Sequence, residues 1–281
     1  MKLRIGCRDS ALSIAQAVLV VDGIHRYDPT IETELVTMKT MGDKILDKPL
    51  DQIGGRGLFV RELDAALRAG QVDLTVHSCK DLPLDLPEDL PIAAYTRRED
   101  PRDVLVLPLG AAALDRARPI GSSSPRRPDM AVEPVRGNVQ TRLRKLDGGR
   151  FSALVLAAAG LRRLGLAERI GYTFSPEEML PAAGQGILAV QVRAGTDTSF
   201  LALAADPDAA ACARAERAFM REMGGGCASP AAAYGTVGGG ELSLTGIDAA
   251  GRRDTIAGPL DQAEELGRAL AKRLGRGEAD P

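Results

Sequence analysis

The run His77-Ser78-Cys79-Lys80-Asp81 follows an alternating apolar stretch, Val72-Asp73-Leu74-Thr75-Val76. An ammonium beside a carboxylate, just past a strand, stands where open α/β sheets place their reactive groups. The ammonium favours the ionised carboxylate, and an ionised carboxylate can stabilise a cation that develops during a reaction. The other reading is a charged loop with a local ion pair worth under about 1 kcal/mol. His77 taken alone reads as a structural, hydrogen-bonded histidine. A second reactive candidate ends the run Gly224-Gly225-Gly226-Cys227. A thiol on a glycine loop can serve as a covalent attachment point, because the backbone lets its sulfur reach a partner; the alternative is a free cysteine in a glycine-rich turn. The chain has 4 cysteines and no C-x-x-C pair, which excludes a disulfide framework and a cysteine zinc site.

Other segments are suited to anions. Gly121-Ser122-Ser123-Ser124-Pro125-Arg126-Arg127 offers three hydroxyls, free backbone N–H groups and a proline fit for the first helical position. This predicts a helix N-terminus that accepts an anion, with two arginines able to grip carboxylates bidentately. It is not a P-loop, so nucleotide binding is not expected. In Arg136-Gly137-Asn138-Val139-Gln140-Thr141-Arg142 a Gly-Asn turn could bring two arginines into one cleft, or open a basic surface helix. Gly54-Gly55-Arg56-Gly57-Leu58-Phe59 reads as a mobile loop leading into a helix, and Ala183-Gly184-Gln185-Gly186 as a backbone approach carrying one amide.

These groups need a scaffold. A length of 281 residues suggests two domains or three small ones. The hydrophobic fraction is 44%, but aromatics are only 3% and Trp is absent, so cores must be built from Leu, Val, Ile and Ala. A net charge of −2 gives no general attraction for nucleic acid or membrane. With no signal-peptide pattern and no long apolar run, a cytoplasmic protein with reduced thiols is expected. Strands are predicted at 3–7, 33–39, 72–76, 153–158 and 188–192, with helices at about 11–20 and 58–69. Ser10 caps the first helix, whose buried face would hold Leu12, Ala15, Gln16, Leu19 and Val20. The β-α-β rhythm implies a parallel sheet, with 153–158 in its middle. The proline-rich stretch 83–91 is a rigid loop. Boundaries fall near 96–101 and 206–207; beyond the second come a helix at 212–223, a strand at 241–247 and an amphipathic helix at 261–274. No internal sequence repeat is visible.

Taken together, these runs resemble the porphobilinogen deaminase (hydroxymethylbilane synthase) family. The matches are Arg8-Asp9-Ser10, Gly42-Asp43, 54–62, 77–81, 98–103, 121–127, 136–143, 159–163, 180–186, Ala215-Glu216-Arg217 and 225–227, in the family's order. The resemblance implies an α/β fold of two periplasmic-binding-protein-like lobes and a small C-terminal α+β domain. The domains would be 1–97 with 188–205, then 98–187, then 206–281. It also implies a dipyrromethane cofactor joined by a thioether to Cys227, and four porphobilinogen units condensed head to tail with loss of ammonia. By resemblance Asp81 and Lys80 are catalytic. Arg8, Ser10, Lys80, Asp81, Ser122, Ser123, Ser124, Arg126, Arg127, Arg136, Gly137 and Arg142 hold the cofactor. Arg8, Gln16, Arg142, Arg163 and Gln185 contact substrate, and Gly54, Gly55, Arg56, Gly57 and Phe59 form a mobile loop. No metal is implied. The partner is the small-molecule substrate alone, and the protein a monomer. The segment between Arg127 and Arg136 is shorter than the family's, which has about a full helix there; its loss would weaken the serine-loop anion site. Cys79, in place of a larger apolar residue, is expected to be packed and inert. The other class open to the sequence is a bilobal anion- or solute-binding protein, or an inactive relative. Such a protein would need neither Asp81 nor Cys227, whereas the deaminase chemistry needs both.

Overall fold

The computed structural model describes residues 1–44, 57, 59–124, 126, 132–225 and 229–275. The chain opens with β1 (Lys2–Arg8), α1 (Ala11–Tyr27), β2 (Glu32–Met38), the single turn α2 (Met41–Lys44), α3 (Arg61–Arg68), β3 (Leu74–Ser78) and β4 (Ile92–Tyr95). It then crosses to a second body: β5 (Asp103–Val106), β6 (Ile120–Gly121), β7 (Val132–Glu133), α4 (Val139–Asp147), β8 (Ala153–Ala157), α5 (Ala158–Arg163) and β9 (Ile170–Thr173). The strand β10 (Leu188–Val192) returns to the first sheet. Last come α6 (Pro207–Glu222), the strands β11 (Ala232–Gly238), β12 (Glu241–Ile247) and β13 (Arg253–Pro259), and α7 (Ala263–Gly275).

The first sheet runs β2-β1-β3-β10-β4 and the second β7-β6-β8-β5-β9. Each reads second, first, third, visitor, fourth, the visitor being the strand that arrives from the other body. Both visitors are antiparallel to their neighbours, while the strands inside the visitor on each sheet pair in parallel. The sheets are therefore mixed, not purely parallel as the β-α-β rhythm implied. The central apolar strand β8 has a parallel neighbour on one side and an antiparallel one on the other. The shared order is a duplication of architecture that the sequence does not display.

Aliphatic side chains fill the cores, as the scarcity of aromatics required: Ile5, Val20, Ile24, Leu74 and Val190 in the first body, and Val104, Leu146, Leu154 and Leu161 around Phe151 in the second. The third body is a three-stranded antiparallel sheet covered by α6 and α7, its core centred on Phe219, Leu242, Leu244 and Leu270.

Several expectations change. Ser10 caps α1 as predicted, its Oγ accepting from Ser13 N at 3.2 Å. The buried face of α1, however, is Ser13, Gln16, Ala17, Val20, Gly23 and Ile24, and Leu19 is 46% exposed. The helix lies so close to the 199–204 segment that a Cβ at Gly23 would sit 2.6 Å from Ala204 Cβ. Close approach of small residues, rather than apolar bulk, orients it. Helix α6 begins five residues before the expected start, because Asp206 accepts from Ala209 N at 2.8 Å and Pro207 occupies the first turn. The polar or glycine-bearing strands β11 and β13 take their order from pairing with β12, not from their own pattern.

One loop positions the site through backbone packing. Gly184 has φ +74, and a Cβ there would lie 2.7 Å from Cys79 Sγ and 3.1 Å from Lys80 N. Gly184→Ala is expected to lose about 1–2 kcal/mol from the left-handed backbone alone. Contact with Cys79 adds to that loss. Thermal unfolding at the wild-type temperature would refute this packing.

Candidate active site

Strand β3 is buried along its length and ends at Ser78; a single 3-10 turn, Cys79–Asp81, then carries the predicted pair before Pro83 prevents further regular structure. Lys80 Nζ donates to Gln185 Oε1 at 3.0 Å, and Gln185 Nε2 donates to Pro101 O at 2.6 Å. Burial holds the Lys80 ammonium below the usual lysine range, while Asp81 and Asp103 act to keep it charged. Cys79 is buried, and burial pushes its thiol up to about 11, so it is packed and unreactive. His77 is buried and shares a 2.9 Å hydrogen bond with Thr75 Oγ1. Its pKa is pushed down to about 3 by burial, then by the Arg8 charge, so it stays neutral and structural. Buried Gln16 donates through Nε2 to Ser78 Oγ at 2.9 Å, which sets it beside the strand end.

Arginines reach this point from both bodies. Arg8 ends β1, its guanidinium 4.3 Å from the centre of the Phe59 ring. Arg8, Phe59, His77, Ser78 and Asp81 line one small open pocket. Gly137 takes φ +113, a backbone that only glycine holds easily, and a Cβ there would lie 2.8 Å from Thr141 Cγ2. Asn138 caps α4 by accepting from Thr141 N at 2.9 Å, and Arg142 Nε donates to Gly137 O at 2.8 Å. Arg142 is held below the usual arginine range by burial; Asp81 opposes that, and Arg136 and Arg8 add to it. These four charges therefore share one neighbourhood. Arg136 Nη2 lies 3.5 Å from Gly42 O of the first body, a long contact that spans the cleft. Arg163 Nη2 donates to Gly186 O at 2.6 Å; its buried Nε finds no acceptor among the described residues, and burial lowers its pKa to about 10.

The serine loop is described only in part. Ser122, Ser123 and Ser124 are in irregular backbone after β6. The hydroxyls turn onto their own segment. Ser123 Oγ donates to Val135 O, Ser122 Oγ accepts from Ser124 N at 3.2 Å, and Ser124 Oγ accepts from Arg126 N at 3.5 Å. The residues on which a helix would begin, 125 and 127–131, lie outside the described residues. Arg126 is buried, with Nη1 and Nη2 each 3.2 Å from Asp103 Oδ2 and Nη1 2.5 Å from Leu180 O. That anchor, Asp103, was missed by sequence reasoning, as was the ion pair of Arg98 with Glu216; both sit inside recognised runs, but neither has a local partner. Of the mobile-loop residues, Gly57 has φ +81 and Phe59 packs under Arg8. Gly54, Gly55, Arg56, Arg127 and Cys227 lie outside the described residues.

The described residues contain no group of three or more His, Cys, Asp or Glu able to hold a metal, and no helix long and apolar enough to cross a membrane. What the site offers is a carboxylate surrounded by cations, on facing edges of two bodies. Such an arrangement is suited to a ligand bearing several carboxylates and to stabilising positive charge at one point.

Comparison with known proteins bears on the ligand. A family model described as "Porphobilinogen deaminase, dipyromethane cofactor binding domain" matches residues 3–200, and one described as "Porphobilinogen deaminase, C-terminal domain" matches 210–276. A porphobilinogen deaminase of Acetivibrio thermocellus is 53% identical over 289 residues, covering 99% of each chain. One from Chromobacterium violaceum is 45% identical over 297 residues, covering 97% of this chain and 94% of that one. Among solved structures, the BenM effector binding domain with benzoate is similar at a TM-score of 0.42 and 15% identity, over 71% of this chain and 86% of that chain. The LysR family transcriptional regulator CbnR is similar at a TM-score of 0.45 and 12% identity, over 72% and 66%.

Proposed function

The chain belongs to the porphobilinogen deaminase family, and from that premise we propose that Asp81 and Lys80 carry its reaction within a cleft of arginines contributed by two bodies. Its activity is that of hydroxymethylbilane synthase, a transferase of tetrapyrrole biosynthesis, and its substrate is porphobilinogen. The single observation that carries the residue assignment is the convergence on Asp81 of Arg8, which lines a pocket with it, and of Lys80 and Arg142, with Arg136 beside Arg142.

Each pyrrole unit of the substrate bears two carboxylates, so a growing chain brings many negative charges into the cleft. The donor set fits a dipyrromethane for the same reason. Arg8, Arg136, Arg142 and Lys80 would supply guanidinium and ammonium donors to its acetate and propionate groups, and Ser10, Ser122 and Ser124 would add hydrogen bonds; the Ser123 hydroxyl already donates to Val135 O. When bound, the cofactor supplies the pyrrole to which successive units are joined. Loss of ammonia from the substrate leaves positive charge shared with its pyrrole nitrogen. The Asp81 carboxylate accepts from pyrrole N–H and holds that charge in place. Lys80, tied to Gln185, fixes a carboxylate near Asp81. Gln16, Gln185 and Arg163 orient the incoming unit. Arg126, anchored by Asp103, and Gly137 would belong to the second body's share, as would Arg127, which lies outside the described residues. The units of this machine would be 1–97 with 188–205, 98–187 and 206–281. The protein would work as a monomer in the cytoplasm.

The experiment is a substrate titration of Arg142→Leu holoenzyme. Loss of charge-assisted hydrogen bonds to carboxylates should raise KM roughly ten- to a hundredfold. An unchanged KM would remove Arg142 from the substrate site.

A further inference from the structure

The side chain of Glu216 is fully buried at 0% exposure, on the helix α6 of the third body, and all of its hydrogen bonds are accepted ones. Oε1 accepts from Arg98 Nη2 at 2.5 Å and from Gly235 N at 2.8 Å; Oε2 accepts from Gly184 N at 2.6 Å. Arg98, on the first crossover between the bodies, uses its other arm, Nη1, to donate to Gln185 O at 3.1 Å. The loop 184–186 on the second crossover is thus held at two successive residues, at Gly184 directly by Glu216 and at Gln185 through Arg98. On its opposite side the same loop grips Lys80, through Gln185 Oε1 and Lys80 Nζ at 3.0 Å. Its other amide arm, Nε2, is fixed to Pro101 O at 2.6 Å, so the amide cannot rotate freely. Gly184 packs against Cys79 and the Lys80 backbone, which leaves the loop no slack toward β3.

We propose that Glu216 is a positioning residue for Lys80. Through Gly184, Arg98 and Gln185 it sets the place of the lysine ammonium from the body that carries Cys227. The inference rests on the reading of Lys80 as a site residue. A buried carboxylate serving three donors cannot be replaced by an amide without turning an N–H₂ toward one of them. In Glu216→Gln the loop must shift, and the shift ends on Lys80. The relay also joins both crossovers, so any rotation of one body against the other passes through the residues that hold the lysine. A growing chain attached to the third body and a cation in the first would then stay in register.

The test compares wild-type, Glu216→Gln, Arg98→Lys and Lys80→Met holoenzymes. Arg98→Lys keeps the charge but loses the fork, and serves if Glu216→Gln does not fold. Trace acetylation, quantified peptide by peptide, reports the accessibility of Lys80, with exposed Lys2 and Lys272 as references at 58% and 60% exposure. The expected result is faster acetylation of Lys80 in Glu216→Gln and Arg98→Lys, with Lys2 and Lys272 unchanged. Turnover per cofactor-bearing molecule should fall roughly ten- to a hundredfold, the scale of small misplacements at an active site. A lower melting temperature with unchanged Lys80 labelling would overturn the proposal and leave Glu216 as structural glue, as would reduced turnover with unchanged labelling. Normal turnover by Lys80→Met would overturn it together with the reading of the site.

Discussion

Asp81→Ala holoenzyme is expected to keep its cofactor and to lose turnover by a factor of about 10²–10³, the scale seen when one preorganised electrostatic group is removed from a site. The substitution deletes the carboxylate around which Lys80, Arg8 and Arg142 gather. Those cations, which we propose as the carboxylate anchors, remain. Without Asp81 they are less neutralised, so binding of a polyanion should hold or tighten. KM should therefore stay level or fall while kcat collapses, the signature of an interaction made in the transition state. Intact mass measures the cofactor and initial rates measure the rest. Normal turnover would remove Asp81 from the chemistry. A rise in KM at unchanged kcat would make it a binding residue.

Cys227→Ser should produce a protein with no covalent adduct and no turnover. The other three cysteines make this an all-or-none expectation. Cys7, Cys79 and Cys212 are buried, and burial holds each thiol up at about 11. The thiolate is the nucleophilic form, so those sulfurs are both shielded and protonated at neutral pH. A serine hydroxyl is a far weaker nucleophile and leaves the site without its primer. Intact mass after incubation with porphobilinogen reads the result directly. An adduct retained on the variant would place the attachment at Cys7, Cys79 or Cys212, and peptide mapping would say which.

Family membership displaces the solute-binding alternative, and it does so despite the short crossover between Arg127 and Arg136. Beside the serines, Arg126 has a buried anchor in Asp103 that no local pattern points to. That anchor is an ion pair from β5, which lies more than twenty residues earlier in the chain.

That contrast marks the limit of the sequence. Read alone, it determined where reactive residues fall on local elements. The buried run before His77 ends in the turn bearing Lys80 and Asp81, Asn138 follows a glycine that must turn, and Ser10 caps a helix. Each of these depends on neighbours within about four positions, through periodicity, capping or backbone restriction. The ordered set of short motifs also sufficed to name the family. Tertiary structure alone decided the rest. β5 and β10 run antiparallel because the chain crosses between bodies twice, and no local pattern encodes the direction of a crossing. The small-residue face of α1 was decided by the close approach of 199–204. Arg126 met Asp103, and Glu216 met Arg98, Gly184 and Gly235, across sequence separations that only folding closes. A buried charge must find its partner wherever the packed chain brings one, and that requirement ties Lys80 to Gln185, more than a hundred residues away.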